Sequence, residues 1–255
     1  MEHFHLTTPQ QNIWNLQKYY EDTAIANLCG AMLFQERKDL EILQEAIRQF
    51  IRSQSGIRMR FCGEKEAGQY ISEEIVETIP ALTFESEEEL DRYAEAFARK
   101  PIGLIDLAMY RFVVFHLENE NRSGLLVVLS HLISDAWTFG FMAEQIDAAY
   151  RSLAGEAGIS LVEGDYRDFI QSEEQYLISE RYEKDKKYWE ERYDARPETT
   201  PVKLCQAPVN TVEARRVTRT IPADLEQNIA TYCKNRPVTQ AVLFETALIL
   251  YLCRI

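Results

Sequence analysis

The sequence lacks the features expected of a nucleic-acid-binding or membrane protein. Its formal net charge is −13, so there is no surplus of lysine and arginine to neutralise phosphates. No window approaches the ~18 consecutive apolar residues of a membrane-spanning helix. The first residues, MEHFHLTTPQQ, lack the basic and apolar regions of a signal peptide. We therefore expect neither a nucleic-acid nor a membrane partner, and we predict a cytoplasmic location.

Cysteine and histidine are also sparse. The five cysteines are scattered without a CxxC pair, and none of the four histidines lies at the spacing of zinc ligands. An odd and dispersed set of cysteines is typical of reduced thiols in the cytosol. We expect no metal site.

The sequence does contain alternating helix and strand patterns. Helices are predicted at TTPQQNIWNLQKYY with Thr8 as N-cap, at DLEILQEAIRQFI begun by Asp39, and at SEEELDRYAEAFARK, where Ser86 and Glu89 have capping-box spacing. Two further helices are predicted over 135–153 and 165–193. Strands are predicted at LCGAMLFQ, GIRMRF and GQYISEEIV, and YRFVVFHL with GLLVVLS reads as a hairpin. This pattern predicts an α/β fold, a sandwich built on a mixed sheet.

The last quarter of the chain contains a proline-rich segment and a very apolar final helix. Three prolines fall in 194–210, which we interpret as a linker after a first domain over 1–193. Over 211–255 the pattern predicts a strand at EARRVTRTI, a helix from Asp224 and a final apolar helix, TQAVLFETALILYLCRI. A helix this apolar needs a partner to pack on, so we expect the chain to be part of a longer protein.

One stretch, LLVVLSHLISDAWTFG, places a histidine where a buried strand meets a loop. His131 is either a partly buried structural histidine or the base of an enzyme, and spacing alone does not distinguish these two roles. Asp135, four residues later, could orient the histidine, cap the next helix or pair with a cation.

Six segments, in order over residues 6–252, resemble the condensation domains of nonribosomal peptide synthetases. SHLISDAW resembles the HHxxxDG signature, and LTTPQQNIW resembles the opening LTxxQxxIW. The others are GIRMRF, KPIGLIDLAMYRF, YRDFI with EKDKKYWEERY, and RPVTQAVLFETALILYL. These matches place His131 at the second, functional histidine, Asp135 at the aspartate and Trp137 at a common aromatic position, while Arg58 and Arg111 fall on two arginines of the pattern.

The resemblance implies a fold like chloramphenicol acetyltransferase, with two similar lobes and a tunnel between them. Domains of the family are about twice as long as this chain, which implies that the chain is the N-terminal lobe plus the start of the C-terminal lobe. The implied reaction is amide bond formation between an acyl or peptidyl thioester and the amine of an aminoacyl thioester. The implied partners are upstream and downstream carrier proteins and an adenylation domain. The substrates are carried on phosphopantetheine, and the domain itself binds no cofactor.

The resemblance also assigns roles to residues. His131 is implied to be catalytic, and Asp135 is implied to support the site by pairing with Arg58. Ser130, Ala136 and Trp137 are expected to line the tunnel or to face substrate. Ser130 stands in place of the first histidine and Ala136 in place of the glycine.

Two alternatives follow from the same residues. One is another acyltransferase of the superfamily that uses coenzyme A or an acyl carrier. The other is a degenerate, non-catalytic module that binds carrier proteins, because a glycine that needs positive φ or close approach would not tolerate alanine.

Overall fold

Seven strands form two sheets in the computed structural model, which describes residues 2–63, 67–76, 78–157, 160–195, 212 and 217–254. The larger sheet has the order β2-β7-β6-β5, in which β6 pairs antiparallel with β7 and parallel with β5. The smaller sheet is antiparallel, with the order β1-β4-β3. The strands are β1 (Phe4–His5), β2 (Asn27–Leu33), β3 (Met59–Cys62), β4 (Gly68–Ile71), β5 (Ala81–Phe84), β6 (Tyr110–Leu117) and β7 (Arg122–Ser130). The predicted mixed-sheet α/β fold is confirmed.

The helices follow the predicted order. They are α1 (Thr8–Tyr19), α2 (Leu40–Ser53), α3 (Glu87–Arg99), α4 (Ala136–Leu153), α5 (Tyr166–Leu177), α6 (Glu180–Arg192), α7 (Ala223–Lys234) and α8 (Gln240–Leu252). The chain divides into two compact units, Met1–Lys186 and Lys187–Ile255. In the second unit α7 and α8 contact each other. None of the helices in the described ranges is long and apolar enough to cross a membrane.

Both faces of the larger sheet are covered, which explains the continuous apolar run of β7. On one face Leu125, Val127 and Leu129 pack with α2 and α4. On the other face Leu126 belongs to a cluster with α3, and Val128 belongs to a cluster with α1 and the small sheet. These three clusters fix β7 in the middle of the first unit.

Helix ends account for several differences from the sequence predictions. The N-cap of α1 is Thr7 and not Thr8. The predicted 165–193 helix is two helices, because the Ser179 hydroxyl accepts from the N–H of Tyr182 and starts α6 anew. Ser86 caps α3 as predicted by accepting from the N–H of Glu89. In a capping box the Glu89 carboxylate would accept from the N–H of Ser86. Here it accepts from the N–H of the preceding residue, Glu85.

Two strand predictions also need correction. In GIRMRF the first three residues, Gly56–Arg58, form a 3-10 turn, and the strand begins at Met59. In EARRVTRTI the described residues, 217–221, form no strand, and the first four lie outside the described ranges. Most of the predicted linker, from 196 onward, also lies outside them.

β7 lies very close to its neighbours at Gly124. A Cβ atom there would lie 2.5 Å from Cζ of Phe115 and 2.6 Å from the carbonyl oxygen of Met32. At Gly140, within α4, a Cβ atom would meet no heavy atom within 4 Å.

We predict that Gly124→Ala lowers the free energy of unfolding by about 1–3 kcal/mol, the usual cost of overpacking. Gly140→Ala, the matched control, should raise it by about 0.5–1 kcal/mol because alanine favours a helix interior over glycine. Urea unfolding of the two variants checks both values. Equal effects in the two variants would contradict the packing described for β7.

Candidate active site

His131 follows directly on β7, at the end of a ladder that is paired on both sides. Ser130 lies opposite Asn27, and its N–H donates to the carbonyl of Met109 at 2.8 Å. The N–H of His131 continues the pattern by donating to the carbonyl of Ala26 at 2.7 Å. The backbone is therefore anchored up to the histidine itself, which is exposed.

The imidazole of His131 is oriented by a backbone carbonyl. Its Nδ1 lies 2.6 Å from the carbonyl oxygen of Ser134. Because a carbonyl oxygen only accepts, Nδ1 must carry the hydrogen, and Nε2 of the neutral ring then holds a free lone pair. The geometry therefore presents Nε2 as a proton acceptor at the end of a fixed strand.

The carbonyl of Ser134 is held by a tight turn. The hydroxyl of Ser134 donates to the carbonyl of Ser130 at 2.8 Å, and the N–H of Ile133 donates to the same carbonyl at 3.1 Å. The hydroxyl of Ser130 accepts from the N–H of Leu132 at 3.3 Å. Ser130 is only 4% exposed, so it supports the turn from inside. In this lobe the side chain of Ser130 therefore belongs to the turn.

Asp135 caps α4. Its Oδ1 accepts from the N–H of Thr138 at 3.0 Å and from the hydroxyl of Thr138 at 2.9 Å, while its own N–H donates to that hydroxyl. These donors, first the backbone N–H and then the hydroxyl, hold the pKa of Asp135 below its usual range, and the nearby His131 adds to the lowering. The carboxylate therefore stays charged beside the histidine.

Arg58 lies in a different place and does not pair with Asp135, so the predicted ion pair is wrong. Its Nη1 donates to the carbonyl of Ser72 at 2.8 Å and lies 3.5 Å from Oε2 of Glu73. The N–H of Ser72 donates back to the carbonyl of Arg58 at 3.0 Å. Arg58 thus ties together the ends of β3 and β4, while Asp135 finds its partners within its own helix.

Arg111 is likewise structural in this lobe. Its guanidinium donates to the carbonyls of Pro101 and Phe97 at the end of α3, at 2.9 and 3.1 Å. Burial lowers the pKa of Arg111, and Cys29 opposes that effect. The cation is suited to the negative end of the α3 dipole.

Ala136 and Trp137 form the start of α4 beside the histidine. Ala136 is exposed and takes its place as the first helical residue. The non-glycine residues with positive φ in the described ranges are Asp22, Asp106 and Asn121. The alanine in place of the motif's glycine therefore causes no backbone strain. Trp137 is 85% exposed, so its indole is free to contact a ligand.

The surface around His131 is open in this lobe. Four cavities of about 230 to about 730 Å³ lie among the described residues, and His131 lines none of these four. Within the described ranges, no group of three or more histidine, cysteine, aspartate or glutamate side chains could hold a metal ion.

The family model named Condensation domain matches residues 1–255, the whole chain. The chain belongs to the condensation domain family. It is 29% identical to surfactin synthase subunit 1 of Bacillus subtilis (strain 168), over 98% of this chain and 7% of that protein. It is 24% identical to a dimodular nonribosomal peptide synthase of the same organism, over 76% of this chain and 8% of that protein.

Solved condensation domains share the fold. A mutant starter condensation domain of rhizomide synthetase, in complex with C8-CoA and Leu-SNAC, matches with a TM-score of 0.72 and 18% identity, over 80% of this chain and 48% of that one. The first condensation domain of the calcium-dependent antibiotic synthetase, in complex with a substrate analogue, matches with a TM-score of 0.70 and 20% identity, over 79% and 50%. This chain therefore spans about half the length of those domains. The predicted resemblance and fold class are confirmed.

Three polar residues that hold the site were not among the residues predicted from the sequence. Ser134 provides the carbonyl that orients the imidazole. On α1, Gln10 donates to the carbonyl of Leu132, and Gln17 accepts from the N–H of Ala26. Gln10 falls on the glutamine of the opening LTxxQxxIW pattern, which is the signal that could have found it, whereas Ser134 and Gln17 match no named position of the motifs. The two glutamines lie seven residues apart, on the face of α1 that also carries the buried Trp14.

We predict that Asp135→Ala lowers the free energy of unfolding by about 0.5–2 kcal/mol, the usual cost of losing an N-cap. Since the folded-state pKa is lowered, the contribution is present above the ordinary aspartate pKa of ~3.9 and lost as the pH falls through the lower, folded value. Thr138→Val, which removes the reciprocal side-chain partner, should have a similar but smaller effect. Urea unfolding between neutral and acid pH measures both. A loss of about 3–5 kcal/mol in Asp135→Ala would instead indicate a broken buried ion pair.

Proposed function

We propose that this chain supplies the histidine-bearing lobe of a domain that forms an amide bond between two carrier-bound thioesters. The donor is an acyl or peptidyl thioester, and the acceptor is the amine of an aminoacyl thioester. The observation that supports this most is the bond from Nδ1 of His131 to the carbonyl of Ser134, which leaves Nε2 free for a proton. Family membership over the whole chain supplies the reaction class.

The proposed reaction needs a proton acceptor at this point. An α-amino group has a pKa of ~7.7–8.0, so at neutral pH much of it is protonated and cannot attack. As the amine nitrogen bonds to the thioester carbonyl, Nε2 of His131 takes a proton from it. The C–S bond then breaks, and the thiolate of the donor carrier's phosphopantetheine receives that proton. His131 could also stabilise the tetrahedral intermediate by hydrogen bonding once it is protonated.

We propose that a second lobe covers the site. His131 is exposed here, and hydrogen bonds to reacting atoms are stronger where water is excluded. In this proposal residues 1–193 are the first lobe, 194–210 connect it onward, and 211–255 begin the second. Side chains along α8 that would need such a partner are exposed by 56–59%: Leu248, Ile249 and Leu250.

The proposed partners follow from the substrates. Carrier proteins would deliver phosphopantetheine-tethered substrates, an adenylation domain would load the acceptor carrier, and no cofactor would be bound by the domain itself. The two synthases named above are much longer than this chain. We also keep the cytoplasmic location as a proposal, supported by cysteines that form no disulfide wherever the structure describes them.

The two departures from the family motif do not disturb the described geometry. Ser130 completes the turn by accepting from Leu132, and Ala136 takes an ordinary helical position. Both departures therefore fall on supporting backbone and leave the reacting nitrogen unobstructed. This favours a catalytic domain over a non-catalytic carrier-binding module.

We predict that His131→Ala in the complete two-lobed domain lowers the condensation rate by about 10²–10⁴-fold, the usual contribution of a general base. The assay uses two loaded carrier proteins and measures the tethered product by mass spectrometry. His116→Gln is the matched control, because His116 bonds to Ser123 on the far part of the sheet. An unchanged rate in His131→Ala would support a binding module.

We predict that Trp137→Ala raises KM for one of the two tethered substrates by roughly twofold to tenfold, with little change in kcat, if the exposed indole contacts that substrate. Titrating each loaded carrier separately identifies which one is affected. Tyr19→Ala, at an exposed aromatic residue of α1, is the control. Unchanged KM for both carriers would remove Trp137 from the proposed binding surface.

A further inference from the structure

A buried amide on α1 holds the residue after His131. Nε2 of Gln10 donates to the carbonyl of Leu132 at 3.1 Å. Oε1 of Gln10 accepts from the N–H of Thr7 at 2.9 Å and from its hydroxyl at 3.1 Å. Gln10 is 4% exposed, Thr7 2% and Leu132 2%. Because the amide oxygen faces two donors, its NH₂ group can only point to the Leu132 carbonyl.

A second buried amide bonds to Ala26, the backbone partner of His131. Oε1 of Gln17 accepts from the N–H of Ala26 at 3.3 Å, and Nε2 donates to the carbonyls of Tyr20 and Thr23 at 3.2 and 3.0 Å. The carbonyl of Ala26 is the one that accepts from the N–H of His131. Gln17 therefore fixes the residue to which the backbone of His131 is bonded.

The two glutamines act from one rigid element. They lie seven residues apart, about two helical turns, so both project from the same face of α1. Trp14 lies between them on that face and packs in the cluster that also contains Leu132. One helix thus bonds to the backbone at Leu132, the residue after His131, and at Ala26, whose carbonyl accepts from the N–H of His131.

We infer that Gln10 and Gln17 are positioning residues that keep the Nδ1–H of His131 on the Ser134 carbonyl. The inference deepens the proposed function and rests on it for the catalytic meaning of that tautomer. Without the Gln10 amide the carbonyl of Leu132 loses its donor, and without the Gln17 amide the N–H of Ala26 loses its acceptor. Either loss lets the backbone that holds His131 shift. A small shift is enough to weaken the bond from Nδ1 to Ser134 and to misplace Nε2.

The test compares Gln10→Met and Gln17→Met with Gln145→Met as the matched control. Methionine keeps nearly the same size and removes the amide. Gln145 is also buried, its Oε1 accepts from the N–H of Val162, and neither residue takes part in the hydrogen bonds described around His131. The control therefore reproduces the loss of a buried glutamine without touching the site.

The first measurement is the tautomer of His131 by ¹⁵N NMR of the 255-residue chain, with its signals among the four histidines assigned through His131→Gln. In the wild type we expect Nδ1 protonated and Nε2 unprotonated. In Gln10→Met and Gln17→Met the opposite tautomer should appear, while Gln145→Met should match the wild type. Unchanged tautomer signals in both α1 variants would overturn the inference, whatever their stability.

The second measurement is the condensation rate in the complete domain. We expect kcat to fall by about 10-fold to 100-fold in each α1 variant, with little change in KM, as for a misplaced catalytic group. Equal losses in kcat for all three variants would also overturn the inference. If Gln10→Met does not fold, Gln10→Glu gives the same readout, since it keeps the acceptors for Thr7 and loses the donor to Leu132.

The two proposals fail in distinguishable ways. An active His131→Ala domain would contradict the proposed function and leave the tautomer experiment meaningful. Normal tautomer signals in the α1 variants, together with an inactive His131→Ala domain, would contradict only the positioning role.

Discussion

The site depends on the position of β7 between two strands and two layers of helices. Leu125, Val127 and Leu129 face one layer, and Leu126 and Val128 face the other. A slip of one residue would exchange these faces, so the register is strongly fixed. Because His131 is the next residue after the strand, its place relative to Ala26 and Met109 is fixed by the same packing.

Charge plays a smaller part in the site than the motif suggests. The carboxylate of Asp135 is used to cap α4, and a neutral carbonyl orients the imidazole. A carbonyl determines which ring nitrogen carries the hydrogen and adds no net charge to the site. Asp135 therefore supplies the negative charge near the histidine, and the backbone of Ser134 orients the ring. A single aspartate could have done both.

Much of the fold could be predicted from the sequence, because burial leaves a periodic pattern. The apolar run of β7 and the Asp39 cap of α2 were both predicted correctly. Some predictions failed because of local hydrogen bonds that periodicity does not reveal. At Ser179, for example, a hydroxyl starts a new helix where one continuous helix was predicted. Residues 217–221 have a strand-like sequence, yet they form no strand in the described part of the chain.

The candidate site was only partly predictable, and the reason is chemical. A motif match locates His131 and Asp135, but it does not show which groups they contact, and so the Arg58–Asp135 pair was wrong. The bonds that matter most run from side chains to backbone carbonyls, at Leu132 and Ser134, and almost any residue can supply a carbonyl. Such bonds leave no paired pattern of residue types in a single sequence.

The two departures from the motif fit the backbone around His131. A serine in place of the first histidine provides the small acceptor that the buried turn uses, and an alanine in place of glycine meets no positive-φ requirement at the start of α4. Serine and alanine therefore fit the turn and the start of α4 at these two positions. The orientation of the His131 imidazole is therefore set by the geometry of the 130–135 turn.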